Sequence, residues 1–245
     1  MRSRAPSSFL LVTALWGASA MWAHEPAAPV TGSAALPAVV PPAAQEGGSE
    51  VQASGPQKFI LDGKESLFAV QVFKKGAAQA LAHDHVVAAS SMSGSVVVDP
   101  TNLTSAQVEV TVQTAGLIND APAMRKRYHL PLEVSEKDRA AILANMRSES
   151  QLDVEKFPTM RFVSTSVVPG VGTALNLKGQ LTIHGVTRDV SLPVQVTATD
   201  HTVDGQGSTH IKMTDFGIEP YSAFLGAVSN KDEMILHVRF VATRL

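Results

Sequence analysis

The sequence contains no cysteine. That absence excludes a disulfide framework, thiolate chemistry and the acylated cysteine of a lipoprotein, so packing alone must hold the fold together. Nor is there an excess of charge of one sign. Twenty Lys and Arg against 22 Asp and Glu leave a formal net charge of −2, which gives no reason to expect nucleic acid or an acidic surface as partner. The strings that announce common catalytic sites are missing too: there is no G-x-S-x-G, no H-E-x-x-H and no glycine-rich phosphate loop. Asp232 and Glu233 are adjacent, on an expected turn, and would point in different directions. The chain is therefore expected not to be an enzyme, and no cofactor is implied.

Apolar runs long enough to interest a membrane are confined to the beginning. Arg2 and Arg4, the stretch Phe9 to Trp16 and the small residues Ala18-Ser19-Ala20 follow the plan of a cleaved secretory signal. The stretch is shorter than the ~20 residues a spanning helix needs. Residues 1–20 are thus expected to be a signal peptide, and the protein to be periplasmic. Residues 21–56 are dominated by Ala, Pro, Gly and Ser and cannot bury enough surface to offset their ordering entropy, which predicts a flexible linker. Residues 57–245 suffice for one domain with a substantial core.

What that domain has in quantity is two-residue alternation, the period of a strand with one apolar face. Phe68, Val70 and Val72 alternate with Leu67, Ala69 and Gln71, and Val108, Val110 and Val112 with Gln107, Glu109, Thr111 and Gln113. The pattern returns at Met160 and Phe162, at Leu175, Leu177, Leu181 and Ile183, at Val190 to Val196, and at Met234, Leu236, Val238 and Phe240. Turns are expected at Asp62-Gly63, Asp99-Pro100, Pro169-Gly170, Asp204-Gly205 and Ser229-Asn230. Many alternating strands joined by short turns favour antiparallel pairing, and closure into a barrel removes exposed edges. One helix interrupts them: between Val134 and Met146, Ala140, Ile142, Leu143 and Met146 recur at helical spacing behind a Ser135/Asp138 capping pattern. It would either cover one barrel mouth as a lid or plug the barrel end.

Three separated segments, DVEKFPTMRFVSTSV from Asp153, GQLTIHGVTRDVSLPV from Gly179 and FGIEPYSAFLGAVSNKDEMILHVRF from Phe216, resemble the YceI-like family of periplasmic lipid-binding proteins. The likeness runs from about Phe59 to Phe240. It implies an all-β fold, an extended lipocalin-like antiparallel barrel of eight strands with one inserted α-helix, and an apolar interior for a polyisoprenoid or similar amphiphilic lipid. The segment LAHDHVVAA from Leu81 is similar to a His-x-His branch of that family, and the long stretch Gly116 to Arg139 departs from the usual pattern.

On this likeness the ligand wall is expected to include Phe68, Val70, Met160, Phe162, Leu181, Phe216, Phe224 and Leu236; the competing reading is that these residues only fill a closed core. If LAHDHVVAA is a strand, His83 and His85 share a face with Leu81 and Val87 while Asp84 points away. Three readings of the pair stand open: a lipid head-group anchor, two structural histidines, or the start of a metal site in a metal-binding or metal-dependent periplasmic protein. His129, His184, His210 and His237 are scattered; His184 is expected in a turn with Gly185 and His237 outside the barrel. The cluster Arg125, Lys126 and Arg127 reads either as a solvated loop or as charges beside the mouth that make a transient membrane contact.

Overall fold

The computed structural model describes residues 55–131 and 134–244. The expected signal peptide and residues 21–54 of the expected linker lie outside that range. The strands, in chain order, are β1 (Gln57–Leu61), β2 (Leu67–Lys75), β3 (His85–Ala89), β4 (Met92–Asp99), β5 (Asn102–Gln113) and β6 (Leu117–Asn119). Two helices follow, α1 (Pro122–Arg127) and α2 (Glu136–Arg147). The chain then returns through β7 (Thr159–Pro169), β8 (Leu175–Ile183), β9 (Val186–Ala198), β10 (Thr202–Lys212), β11 (Ser222–Ala223) and β12 (Val228–Arg244).

Eight of these strands, β1, β4, β5, β7, β8, β9, β10 and β12, form a closed antiparallel ring in which β12 pairs back onto β1. Closure satisfies the edges that an open sheet would expose. The remaining long pairings extend the ring at one end. Leu61 lies opposite Ala242 and Leu67 opposite Arg239, so β1 and β2 occupy one edge of β12 end to end, separated by the Asp62-Gly63 turn. In the same way β3 continues β4 and β6 continues β5, with β3 paired to both β2 and β6. The expected eight-stranded barrel is present, lengthened on one side.

Local chemistry accounts for the connections. Ile183 pairs with Val186 across His184 and Gly185, both at positive φ, +51° and +74°, as a two-residue primed hairpin turn requires. His184 is held there by an edge-to-face contact with Phe157, 4.6 Å between ring centroids. Pro193 lacks an N–H to donate, and the pairing of β9 with β10 stops at its neighbour Val194. Two expected turns fall inside strands instead: Asp204-Gly205 belongs to β10 and Ser229-Asn230 to β12. Asp232 and Glu233 are likewise in β12, at a register irregularity, where Asp232 accepts from the backbone and hydroxyl of Thr214.

Gly205 explains how the bore is filled. A Cβ built there would come 2.1 Å from the Phe240 ring on the paired strand, so the aromatic lies flat over the glycine inside the barrel. Phe162 covers Gly179 in the same manner. Around Phe240, Phe59, Val96, Val98, Val167, Leu177, Val194 and Val203 pack one end of the barrel closely.

A second layer lies outside. Met124 and Tyr128 of the α1 segment, with Leu130, cover the outer faces of Leu67, Ala69, Val86 and Ala88. The outer face of β2, expected to be wet, is therefore buried, and Ala69 is completely so. The added cover is α1, a six-residue helix beside the one expected; the expected one is α2. His237 does face outward, but beneath this layer: its Nε2 meets Gln71 Oε1 at 2.8 Å and its ring lies 4.6 Å from Tyr128. Burial, with a smaller contribution from Arg127, pushes its imidazole below the ordinary value.

Gly205→Ala should overpack the site against Phe240 and lower stability by about 1–3 kcal/mol, read as a drop in the urea midpoint. Adding Phe240→Leu should recover part of the loss.

Candidate functional site

The barrel interior narrows in steps. A cavity of about 340 Å³ occupies the extended end, a void of about 50 Å³ follows in the middle, and one of about 20 Å³ lies towards the packed end. Phe68 and Met160 border both the large cavity and the middle void, and so form the floor between them. The bore is hollow at one end and filled at the other.

Val70, Val72, Val87, Ile183, Ile211 and Met234 contribute to the walls. The roof is α2. Ser135 caps it by accepting from Asp138 N–H, with acidic Glu136 and Asp138 in the first turn and Arg147 in the last, each suited to the helix dipole. Its Ala141, Ile142, Asn145 and Met146 face the cavity, whereas Ala140, counted in the sequence periodicity, is exposed. No residue of α2 is fully buried, as befits a helix laid over a hollow. Arg147 donates to the carbonyls of Ala115 (2.6 Å) and Leu117 (3.3 Å), and Asn119 donates to the Arg139 carbonyl (3.1 Å), fastening both ends of the helix to the β6 rim.

Polar groups are sparse in this lining, and His85 is its one ionisable imidazole. Its Nδ1 lies 2.7 Å from Asp120 Oδ2. Asp120 is wholly buried; its Oδ1 accepts from Arg125 Nη1 at 2.6 Å and from Val86 N–H at 3.2 Å. Burial alone would raise this carboxyl, but the hydrogen bond and charge of His85, the Val86 N–H and Arg125 together hold it below the usual carboxylate range. A carboxylate only accepts, so Nδ1 carries the proton of that bond and Nε2 is left free for the cavity. Neutral, Nε2 accepts a hydrogen bond; protonated, it donates one.

Asp120 and Arg125 were not singled out as site residues by sequence reasoning. Asp120 sits at φ +52° between β6 and α1, and Arg125 returns to it from α1 one turn later. The signal lay in Asn119-Asp120-Ala121-Pro122, an acidic residue just ahead of a helix-initiating proline. Arg125 is a correction as well: it is 1% exposed, bonded to Asp120 and to the carbonyls of Asp84 and Pro131, and does not belong with the exposed Lys126 and Arg127.

The other expected residues divide. Phe68, Val70, His85 and Met160 border the large cavity, and Phe162, Leu181 and Leu236 the middle void. Phe216 is 1% exposed and packs in the core on a turn against β9 rather than in the cavity lining. Phe224 is outside the barrel altogether, 82% exposed at the tip of a hairpin. The strand expected through LAHDHVVAA begins only at His85, because Gln79–Leu81 form a 3-10 turn; Leu81 and His83 are exposed, and Asp84 accepts from Lys74 N–H. The two imidazoles are still neighbours, their centroids 6.4 Å apart. Among the described residues no group of three or more His, Cys, Asp or Glu side chains converges to hold a metal.

A family model described as "YceI-like domain" matches residues 65–242. A UPF0312 protein of Vibrio cholerae is 31% identical over 149 residues, spanning 58% of this chain and 67% of the relative. One from Pseudomonas aeruginosa is 28% identical over 155 residues, spanning 61% and 70%. Among solved structures, Burkholderia cenocepacia BcnA superposes with a TM-score of 0.56 at 20% identity, over 75% of this chain and 99% of its own. A polyisoprenoid binding domain from Saccharophagus degradans, implicated in plant cell wall breakdown, gives 0.51 at 10% identity, over 76% and 98%. At such identities the two structures speak for the fold alone.

Asp120→Asn should leave Arg125 buried without its counter-charge and cost about 3–5 kcal/mol. Because the folded carboxyl titrates below its ordinary value of 3.8, its contribution is present above that value and lost as pH falls through the folded one. Urea midpoints measured against pH should therefore fall on acidification in the native protein and fall less in Asp120→Asn.

Proposed function

The chain belongs to the YceI-like family, and from that premise we propose that it is an exported binding protein that carries an amphiphilic lipid, prenyl or acyl, in the hollow end of its barrel. The observation that carries this reading is an apolar cavity of about 340 Å³ with a single buried-network histidine, His85, in its wall. Apolar sites with few convergent polar groups are the usual form of small-molecule pockets. A polyisoprenoid binding domain has the same barrel fold, and the apolar bore described above suits a ligand of that class. The role is binding rather than catalysis.

The chain of such a ligand gains roughly 0.8 kcal/mol per buried methylene, but a bilayer offers nearly the same. Burial therefore confers solubility, and selectivity falls to shape and to the head group. Nε2 of His85 is the group placed to read a head group, with its orientation held by Asp120 behind it. Depth limits the chain: the bore narrows at the Phe68 and Met160 floor, which sets how far a ligand's chain can enter. The reading of a metal held by His83 and His85 gains no specific support: His85 Nδ1 is engaged by Asp120, and no third ligand converges among the described residues.

Native mass spectrometry of protein purified without detergent should show a mass excess matching a prenyl or acyl species. Affinity across a saturated alcohol series should rise with chain length and then level where the chain meets the Phe68 and Met160 floor. His85→Ala should weaken binding about tenfold, the worth of one good hydrogen bond, and Met160→Ala should move the plateau to longer chains by opening the middle void. No saturable binding of any member would defeat the reading.

A further inference from the structure

Phe224, displaced from the cavity, belongs to a feature that the carrier reading does not use. Between Tyr221 and Asn230 the chain forms a hairpin on the cavity rim: Asn230 N–H donates to the Tyr221 carbonyl at 2.9 Å, Ser222 pairs with Ser229 and Ala223 with Val228. The base of this hairpin borders the cavity, through Tyr221 and Asn230. Its tip, Phe224-Leu225-Gly226, runs at φ +50°, +55° and +88°. Gly226 adopts that region freely, but Phe224 and Leu225 do so against their backbone preference. The strained tip holds both side chains out: Phe224 is 82% exposed and Leu225 fully so.

A second loop leans on the first. Ala78 N–H donates to the Ala227 carbonyl at 2.8 Å, and Gly76 approaches the same carbonyl so closely that a Cβ would sit 2.4 Å from it. This loop presents Leu81, 81% exposed. Exposed Lys75, opposite Ser229 in β12, and exposed Lys231 flank the hairpin base. Asp232, whose carboxylate accepts from Thr214 and keeps its negative charge near Lys75, offsets part of this positive charge.

We propose that this tip is a docking wedge that inserts Phe224, Leu225 and Leu81 into the surface of an anionic phospholipid bilayer and brings the cavity rim to the lipid. Large apolar side chains on a protruding, cation-flanked loop match an interfacial site, where apolar burial and attraction to anionic head groups act together. A second copy of the chain fits less well. Three such side chains offer roughly 500 Å², short of the ~800 Å² per partner that a stable protein interface buries. The purpose of docking rests on the carrier reading; the docking itself is tested apart from it.

The test is co-sedimentation of the purified protein with vesicles of phosphatidylethanolamine and phosphatidylglycerol. Asn tolerates left-handed φ, so the double variant Phe224→Asn/Leu225→Asn keeps the turn while removing its apolar surface. It should lower vesicle partitioning by at least about tenfold, with unchanged Tm and unchanged uptake of dodecanol from solution. Val171→Ser removes an equally exposed side chain, 93%, at the β7–β8 turn by the packed end, and should leave partitioning as it was. Equal partitioning of the double variant and the native protein would overturn the proposal, as would an equal loss in Val171→Ser. So would a dimer dispersed by the double variant in a protein that does not bind vesicles. Vesicle binding without dodecanol uptake would instead count against the carrier reading and leave the wedge standing.

Discussion

The buried carboxylate of Asp120 is the contact on which the rest of the site depends. It faces inward to His85, outward to Arg125, and along the backbone to Val86. Through it the wall of the cavity and the helix packed outside the barrel are one assembly. Arg125 in turn donates to the carbonyls of Asp84 and Pro131, so the segment before β3 and the end of the α1 turn are gathered onto the same ion pair. A charge so far from water is tolerable only when it is paired and hydrogen-bonded. That demand is what fixes the His85 ring: an imidazole that must satisfy a buried carboxylate with one nitrogen can offer only the other to the bore.

A hollow interior is costly, because side chains lining a void lose the contacts a packed core would supply. This barrel separates the two tasks along its axis. The end around Phe59 and Phe240 is packed, with Gly205 and Gly179 giving the aromatic rings room to lie across the bore. The other end carries the void and compensates with outer cover, α1 over β2 and β3 and α2 over the mouth. The extension of the ring by β2, β3 and β6 serves the same end, since it lengthens the wall only where there is a cavity to enclose.

Much of this was legible in the sequence. Strict alternation located the inward residues of β5, β7, β8 and β12, and the Ser135/Asp138 pattern located α2, because both signals are local and repeat. What escaped was non-local. Leu67 and Ala69 occupy a face that alternation marks as wet; their apolar character hinted at cover, but only the fold reveals Met124 and Tyr128 above them. Arg125 looked like one of three neighbouring cations because the signal at Asp120, an acidic residue ahead of Pro122, does not say which cation turns back to pair with it. Alternation puts His83 and His85 on one face without saying which way it points; only His85 lies in a strand and borders the cavity, and His83 belongs to the loop that precedes it. Phe224 was misplaced for a related reason: alternation assumes extended backbone, and the left-handed tip turns its side chain away from the barrel.

The rim elements differ in how firmly they are held, and the difference gives the cavity a direction. On the β6 side, α2 is tied by Arg147 to two carbonyls and by Asn119 to a third. Across the mouth, the segment after α2 meets the opposite rim through Gln151, whose amide donates to the Glu219 carbonyl at 3.1 Å in an exposed position. Of the three bonds on the β6 side two are partly buried, whereas the bond across the mouth is single and exposed, and local opening follows the weaker edge. The yielding edge is the one beside Tyr221, at the base of the hairpin that carries Phe224 and Leu225. A lid hinged on β6 would therefore part on the side where the barrel presents its apolar tip, so that a lipid leaving a surface touched by that tip would meet the opening rather than the fixed edge.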